Sequence, residues 1–232
     1  MAIDKSGVGG MFDAIAWRYD FLNHFLTLGI DNLWRNKAVS LISAPEGSTF
    51  LDVATGTGDL AVTLVHKKKP VKVFGIDISE GMLSFGRKKM EKLGLSQQVI
   101  LTQEDCEALS FAEGSFEAVT VGFGIRNFLH PDKGLSEMYR VLNPGGEAII
   151  LEFSRPKSKL LCKLFDMYFC YVLPLVGQLL SKHSSAYTYL PDSVKEFPYG
   201  EGFTKLMREA GFTAVEYHPL TFGIATVYKG VK

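Results

Sequence analysis

Along the chain, short apolar runs alternate with stretches in which apolar residues recur every three or four positions. The runs "STFLDVA", "VKVFGID", "QVILTQ", "FEAVTVGF" and "EAIILEFS" are rich in Val, Ile and Phe. They are too short for ordinary helices and predict buried strands of a parallel sheet. Helical spacing lies between most of them. Within 132–146, Leu135, Met138, Tyr139 and Leu142 fall at i, i+3, i+4 and i+7, with Asp132 as the expected N-cap and Pro144, Gly145 and Gly146 as the stop. Phe203, Leu206, Met207 and Ala210 repeat that spacing before Gly211, and 213–230 reads as two further strands meeting at Pro219 to Gly223. The pattern predicts an α/β fold built on a doubly wound, seven-stranded and mostly parallel sheet. No internal repeat or linker divides it, so a single domain over 1–232 is expected. Its parts would be an N-terminal helical segment (1–45), a cofactor-binding core (46–154), a helical cap (155–200) and a last helix with the terminal strand pair (201–232).

Composition narrows the function classes. A chain of 232 residues, 47% apolar, can bury one large core. Lys plus Arg number 25 and Asp plus Glu number 25, which leaves no excess positive charge for a nucleic-acid backbone. Cys106, Cys162 and Cys170 are few, odd in number and apart from the histidines. They predict buried free thiols in a reducing compartment and no metal centre. "MAIDKSGVGG" places an acid before any base and has no apolar core, so it does not read as a signal peptide and a cytoplasmic location is expected. The stretch 160–180 approaches the length of a membrane span, but Lys163, Asp166 and Pro174 argue for an apolar surface instead.

The candidate chemistry starts at "DVATGTGD", 52–59. Gly56-x-Gly58-x-x-Ala61 satisfies the dinucleotide fingerprint, and Asp77, ending the next run, stands where a ribose-binding acid belongs. The charges point elsewhere. Asp59 falls in the first turn of the helix that would receive a pyrophosphate. A carboxylate ~4 Å from a phosphate, at an effective dielectric of about 20, costs on the order of 4 kcal/mol before screening. Asp52 adds to that. The same acids favour a phosphate-free cation, S-adenosyl-L-methionine; the ordinary alternative is that Asp59 only stabilises its own helix. Further along, Asp77 can accept from ribose hydroxyls, Met82 can pack on an adenine face, Asp105 can accept an adenine amino group and the amide of Cys106 can donate to a ring nitrogen. "VGFGIRN", 121–127, would face the transferred methyl group.

The strings "MFDAIAWRYDFLNHFLTLGIDNLWR", "DVATGTGDLA", "GIDISEGML", "FGIRNF", "EMYRVLNPGGEAIILEFS", "AYTYLPDSVKEFP" and "LTFGIATVYKG" resemble the ubiquinone/menaquinone biosynthesis C-methyltransferase family over nearly the whole chain after about residue 10. "GFGIRN" and "AYTYLPDSV" are the family-specific parts. The resemblance implies a class I S-adenosylmethionine-dependent methyltransferase fold. It also implies metal-free transfer of a methyl group to a ring carbon of a polyprenylated quinol. By motif position, Thr57, Asp77, Asp105, Cys106 and Gly122 would contact the cofactor, together with Asp52, Gly56, Gly58, Asp59 and Met82 from the reading above. Cys106 stands where many relatives have Ala or Gly, and Gly122 replaces a frequent Ser. Arg126, Asn127 and Tyr19 are the catalytic candidates. A phenol of pKa ~10 is about three pH units from ionising at neutrality, a handicap of about 4 kcal/mol. A guanidinium at Arg126 would ease that ionisation, with a water held by Arg126, Asn127 or Tyr19 removing the proton. Demethylmenaquinol is the expected substrate and a benzoquinol the alternative. Trp17, Tyr19, Phe21, Phe25, Phe165, Tyr168, Phe169 and Tyr171 could line a tunnel for the tail. Contact with the inner face of a membrane and pairing into a homodimer are left open. His24, His66, His130, His183 and His218 lack metal spacing, and His130 is placed to accept a proton. The rival readings are a nicotinamide oxidoreductase and a non-catalytic cofactor-binding subunit.

Overall fold

The computed structural model describes residues 7, 9–13, 16, 24, 27–168 and 185–232. The apolar runs become β1 (Thr49–Val53), β2 (Lys72–Asp77), β3 (Val99–Gln103), β4 (Phe116–Gly122) and β5 (Leu142–Phe153), followed by β6 (Thr213–Leu220) and β7 (Ala225–Val231). They form one seven-stranded sheet in the order β3-β2-β1-β4-β5-β7-β6. The first five strands run parallel, while β7 lies antiparallel between β5 and β6. Helices α1 (Ile30–Ser40), α2 (Asp59–Lys68), α3 (Glu80–Leu93), α4 (Pro131–Val141), α5 (Lys159–Met167), α6 (Ser185–Glu196) and α7 (Glu201–Glu209) accompany it.

Successive strand residues point to opposite faces of a sheet, and the two cores follow that alternation. Phe50, Ala118 and Ile149 join Trp34, Ala38, Leu64 and Met90 on one side. Their neighbours Leu51, Val119 and Ile150 join Leu135, Met138, Phe203 and Met207 on the other. A strand buried on both faces reads as a mostly apolar run, which is why Phe50, Leu51 and Val53 of β1 and Ala118, Val119 and Val121 of β4 are all apolar and buried. Strand order reverses between β1 and β4, and in open sheets that reversal opens a crevice at the carboxyl ends.

Some expectations shift. Helix α4 begins at Pro131 with His130 as N-cap, so Asp132 lies inside the first turn and does not cap it; a proline fits the first helical position because its missing N–H has no partner to lose there. Pro144, Gly145 and Gly146 fall within the early part of β5, where pairing with β4 changes register between Phe116 and Ala118. Cys106 and Cys162 are free but only half-buried. Trp17, Tyr19, Phe21, Phe25, Phe169, Cys170, Tyr171 and His183 lie outside the described residues. Among the described residues, no helix is long and apolar enough to cross a membrane.

Candidate active site

The glycine turn joins β1 to α2 and bends through left-handed conformations at Ala54 (φ 51°), Gly56 (φ 57°) and Gly58 (φ 85°). A residue with a Cβ is strained at such a φ; the two glycines avoid that strain and Ala54 bears it. The turn's amides are engaged within the protein. Thr55 N donates to the Ile76 carbonyl at 2.9 Å and Gly58 N to the Thr55 carbonyl at 2.9 Å. Gly56 N donates to Asp77 Oδ2 at 2.8 Å. Asp77 Oδ1 accepts from Ser79 N at 2.9 Å, so the carboxylate that ends β2 is aimed by two main-chain donors. Burial raises its pKa, against the lowering effect of those amides.

Asp52 stands below the turn, fully buried, accepting from Thr55 Oγ1 at 2.6 Å and from Thr120 Oγ1 at 2.7 Å. Burial outweighs both bonds and pushes its pKa up to about 6. Thr57 is also buried and lies 3.1 Å from Lys89 Nζ.

Asp59 requires a correction. Its Oδ1 is 2.7 Å from Lys89 Nζ, and its Oδ2 is 3.2 Å from Arg35 Nη2 and 3.4 Å from His24 Nε2. Burial works to raise its pKa, but Lys89, Arg35 and His24 overcome that and hold it below the usual carboxylate range. A carboxylate matched by Lys89 and Arg35 does not present a bare negative charge to a ligand. The Gly56 amide, one of the main-chain donors of the turn, already donates to Asp77 and is not free for an anion.

A cavity of about 220 Å³ opens at the carboxyl ends of β1, β2 and β4. Its walls come from Ala54 and Gly56, from Ile76 and Asp77, from Glu104 to Glu107 after β3, and from Gly122, Phe123 and Gly124. Met82 and Asn127 also line it, as do Gly9 and Phe12 from the N-terminal segment. Of the predicted cofactor residues, Gly56, Asp77, Met82, Asp105, Cys106 and Gly122 meet here, whereas Asp52, Thr57, Gly58 and Asp59 shape the turn from behind. Asp105 Oδ1 accepts from Glu107 N at 2.9 Å, which fixes the acidic loop. Burial, with Asp105 and Glu107 nearby, drives the Cys106 thiol far up in pKa, so it stays protonated. A Cβ on Gly124 would stand 2.6 Å from that of Ala54; only glycine lets the ends of β1 and β4 approach this closely. Among the described residues, no group of three or more His, Cys, Asp or Glu could hold a metal.

Arg126 belongs to the short 3₁₀ turn Ile125–Asn127 after β4. It is buried and paired: Nη1 donates to Glu152 Oε1 at 2.7 Å and to the Phe123 carbonyl at 2.6 Å, and the guanidinium lies 5.4 Å over the Phe153 ring. Its Nε, also buried, has no hydrogen-bond partner among the described residues. His130 is exposed, with its amide donating to Glu107 Oε1 at 2.6 Å. Tyr19 lies outside the described residues. Two contributors escaped the sequence reading. Glu152 is hidden in an apolar strand, and the second acid of "EAIILEFS", set inside the apolar run, was the available signal. Asp13 accepts from Ser79 Oγ at 2.5 Å and from Gly81 N at 2.9 Å, tying the N-terminal segment to α3.

A family model described as the ubiE/COQ5 methyltransferase family matches residues 1–232. The chain belongs to that family. It is 49% identical over 222 residues, covering 96% of this chain and 91% of the relative, to a demethylmenaquinone methyltransferase of Bacteroides fragilis. It is 48% identical over 223 residues, with 96% and 87% covered, to a ubiquinone/menaquinone biosynthesis C-methyltransferase UbiE of Geobacter sulfurreducens. Among solved structures, a SAM-dependent methyltransferase of Thermotoga maritima superimposes with a TM-score of 0.67 at 23% identity, covering 96% of this chain and 99% of that one. The [4+2]-cyclase SpnF gives 0.74 at 15% identity over 100% and 97%. These likenesses show the fold, class I S-adenosylmethionine-dependent methyltransferase. Membership of the ubiE/COQ5 family makes the chain a methyltransferase.

Proposed function

We propose that the chain transfers a methyl group from S-adenosyl-L-methionine to a ring carbon of a polyprenylated quinol, demethylmenaquinol first and a benzoquinol as the second reading. The observation that carries this is the cavity at the β1/β4 reversal, which has acids aimed for a nucleoside on one side and the Ile125–Asn127 turn on the other. The residues fit the cofactor. Asp77, held by the Gly56 and Ser79 amides, can accept from a ribose diol; Met82 supplies an apolar face, and the loop of Asp105 and Cys106 can pair with an adenine edge. When bound, S-adenosyl-L-methionine supplies an electrophilic methyl group on a positively charged sulfur.

The rest of the work falls to the chain. A quinol carbon becomes a strong nucleophile only as its ring hydroxyl ionises, and each pH unit of lowered pKa is about 1.4 kcal/mol. Asn127, on the cavity wall, orients the ring; Arg126, next to it in the turn, is buried behind that wall with a spare Nε donor, and a charge-assisted donor brought to a ring oxygen favours the ionised form. The hydroxyl proton passes to water held at this turn, with Tyr19 as a further candidate; after the new carbon–carbon bond has formed the ring proton leaves and the ring oxygen takes a proton back, so that one proton is released overall. The tail keeps the quinol in a bilayer, so the protein works from the cytoplasm against the inner face of the membrane.

The names of the Bacteroides fragilis relative and of a demethylmenaquinone methyltransferase of Porphyromonas gingivalis, 45% identical over 226 residues, favour the naphthoquinol ring. Purified protein with a methyl-labelled donor and short-tailed demethylmenaquinol should give the ring-methylated quinol by mass spectrometry. Labelling of a benzoquinol alone moves the reading to the second substrate; labelling of neither overturns it.

A further inference from the structure

Resting on that reading, we infer that Glu152 is a positioning residue for the reaction, acting through Arg126. Glu152 is the penultimate residue of β5 and is 1% exposed, and it does not line the cavity. Its oxygens nevertheless clamp the turn that does. Oε1 accepts from Arg126 Nη1 at 2.7 Å and from Phe153 N at 2.8 Å, and Oε2 accepts from the Arg126 main-chain amide at 3.3 Å. Arg126 Nη1 donates back to the Phe123 carbonyl at 2.6 Å. One carboxylate thus grips both the side chain and the backbone of Arg126, and the grip closes on Phe123. The residues bracketed by these bonds, Phe123 and Gly124, and the next one, Asn127, all line the cavity.

Stability alone is a poor account of this arrangement. Two charges withdrawn from water repay their desolvation only with good geometry, and well-packed apolar residues in their place are often as stable or more so. What the pair supplies and an apolar pair cannot is orientation: it fixes which way the guanidinium faces and where the backbone of the turn sits. Misplacement of a reacting group by about 1 Å can cost on the order of 100-fold in rate.

The test uses the full chain and compares wild type, Glu152→Gln, Glu152→Asp, Arg126→Ala and the double variant Arg126→Ala/Glu152→Gln. For each, kcat and quinol KM are measured, S-adenosylhomocysteine affinity is read by calorimetry, and Tm is recorded. Glu152→Gln should lose on the order of 100-fold in kcat, while quinol KM and S-adenosylhomocysteine affinity stay within about threefold; Glu152→Asp, which restores the charge, should recover part of the rate. The double variant should be no slower than Arg126→Ala, because residues acting as one unit do not add. Should Glu152→Gln not fold, Glu152→Asp takes its place in the same comparison. A Glu152 variant with wild-type kcat, losses that multiply in the double variant, or a kcat loss that only tracks loss of cofactor affinity and Tm would each overturn the assignment. Wild-type protein that methylates no quinol would defeat the functional reading instead, which separates the two failures.

Discussion

Asp52 makes the pH dependence of stability readable at one residue. Its pKa of about 6 in the folded protein lies above the unfolded value of 3.8, so between those pH values the folded chain holds a proton that the unfolded chain has released. Stability therefore falls as pH rises through that window, by on the order of 3 kcal/mol in all. Asp52→Asn keeps the shape and can still pair with the hydroxyls of Thr55 and Thr120, so it should flatten the loss between pH 4 and pH 6; urea unfolding at both pH values measures it. Gly124→Ala should destabilise by about 1–3 kcal/mol through the clash with Ala54 and weaken S-adenosylhomocysteine binding, as denaturation and calorimetry would report. Asp77 was legible in the sequence because it ends an apolar run at a fixed distance from a glycine turn. The true setting of Asp59 was not, since Arg35 and Lys89, which balance its charge, reach it only through the packing of α1 and α3 against α2.

At the scale of elements, helix α3 carries the clearest dependence on distant chain. Ser79 Oγ accepts from Met82 N at 3.1 Å as a local cap, and Asp13 adds a second layer from the N-terminal segment that also supplies Gly9 and Phe12 to the cavity wall. Asp13→Ala should lower S-adenosylhomocysteine affinity about fivefold to tenfold, a loss of about 1–1.4 kcal/mol in keeping with a removed capping contact. Tm should hardly move, because α3 keeps Ser79; calorimetry and thermal melting together check this. Helices were readable from their 3.6-residue period, and the core strands as runs rich in Val, Ile and Phe that are too short for helices. The start of α4 was misread because Asp132 and Pro131 both signal a helix start and the proline sits one position earlier. The place of β7 between β5 and β6 could not be read from local pattern at all, since pairing partners are set by contacts far apart in sequence.

At the scale of the whole molecule, ligand choice is a thermodynamic statement about the folded state. S-adenosylhomocysteine at about 100 times its Kd should add about 2.7 kcal/mol and raise Tm by about 5–10 °C for a chain of this size, whereas NADH at the same concentration should leave Tm unchanged in the same scan. The fold alone would not license that expectation: SpnF shares the architecture and is a cyclase, so chemistry is decided by the residues at the strand ends and not by the sheet that carries them. The bond between the Gly56 amide and Asp77 sharpens the point. An engineer hoping to convert this scaffold to a nucleotide reductase could erase every acid of the turn itself and still fail, because the Gly56 donor stays committed to the Asp77 side chain of the neighbouring strand. Selectivity here extends to the backbone's own donor inventory, which substitutions that spare Asp77 do not release.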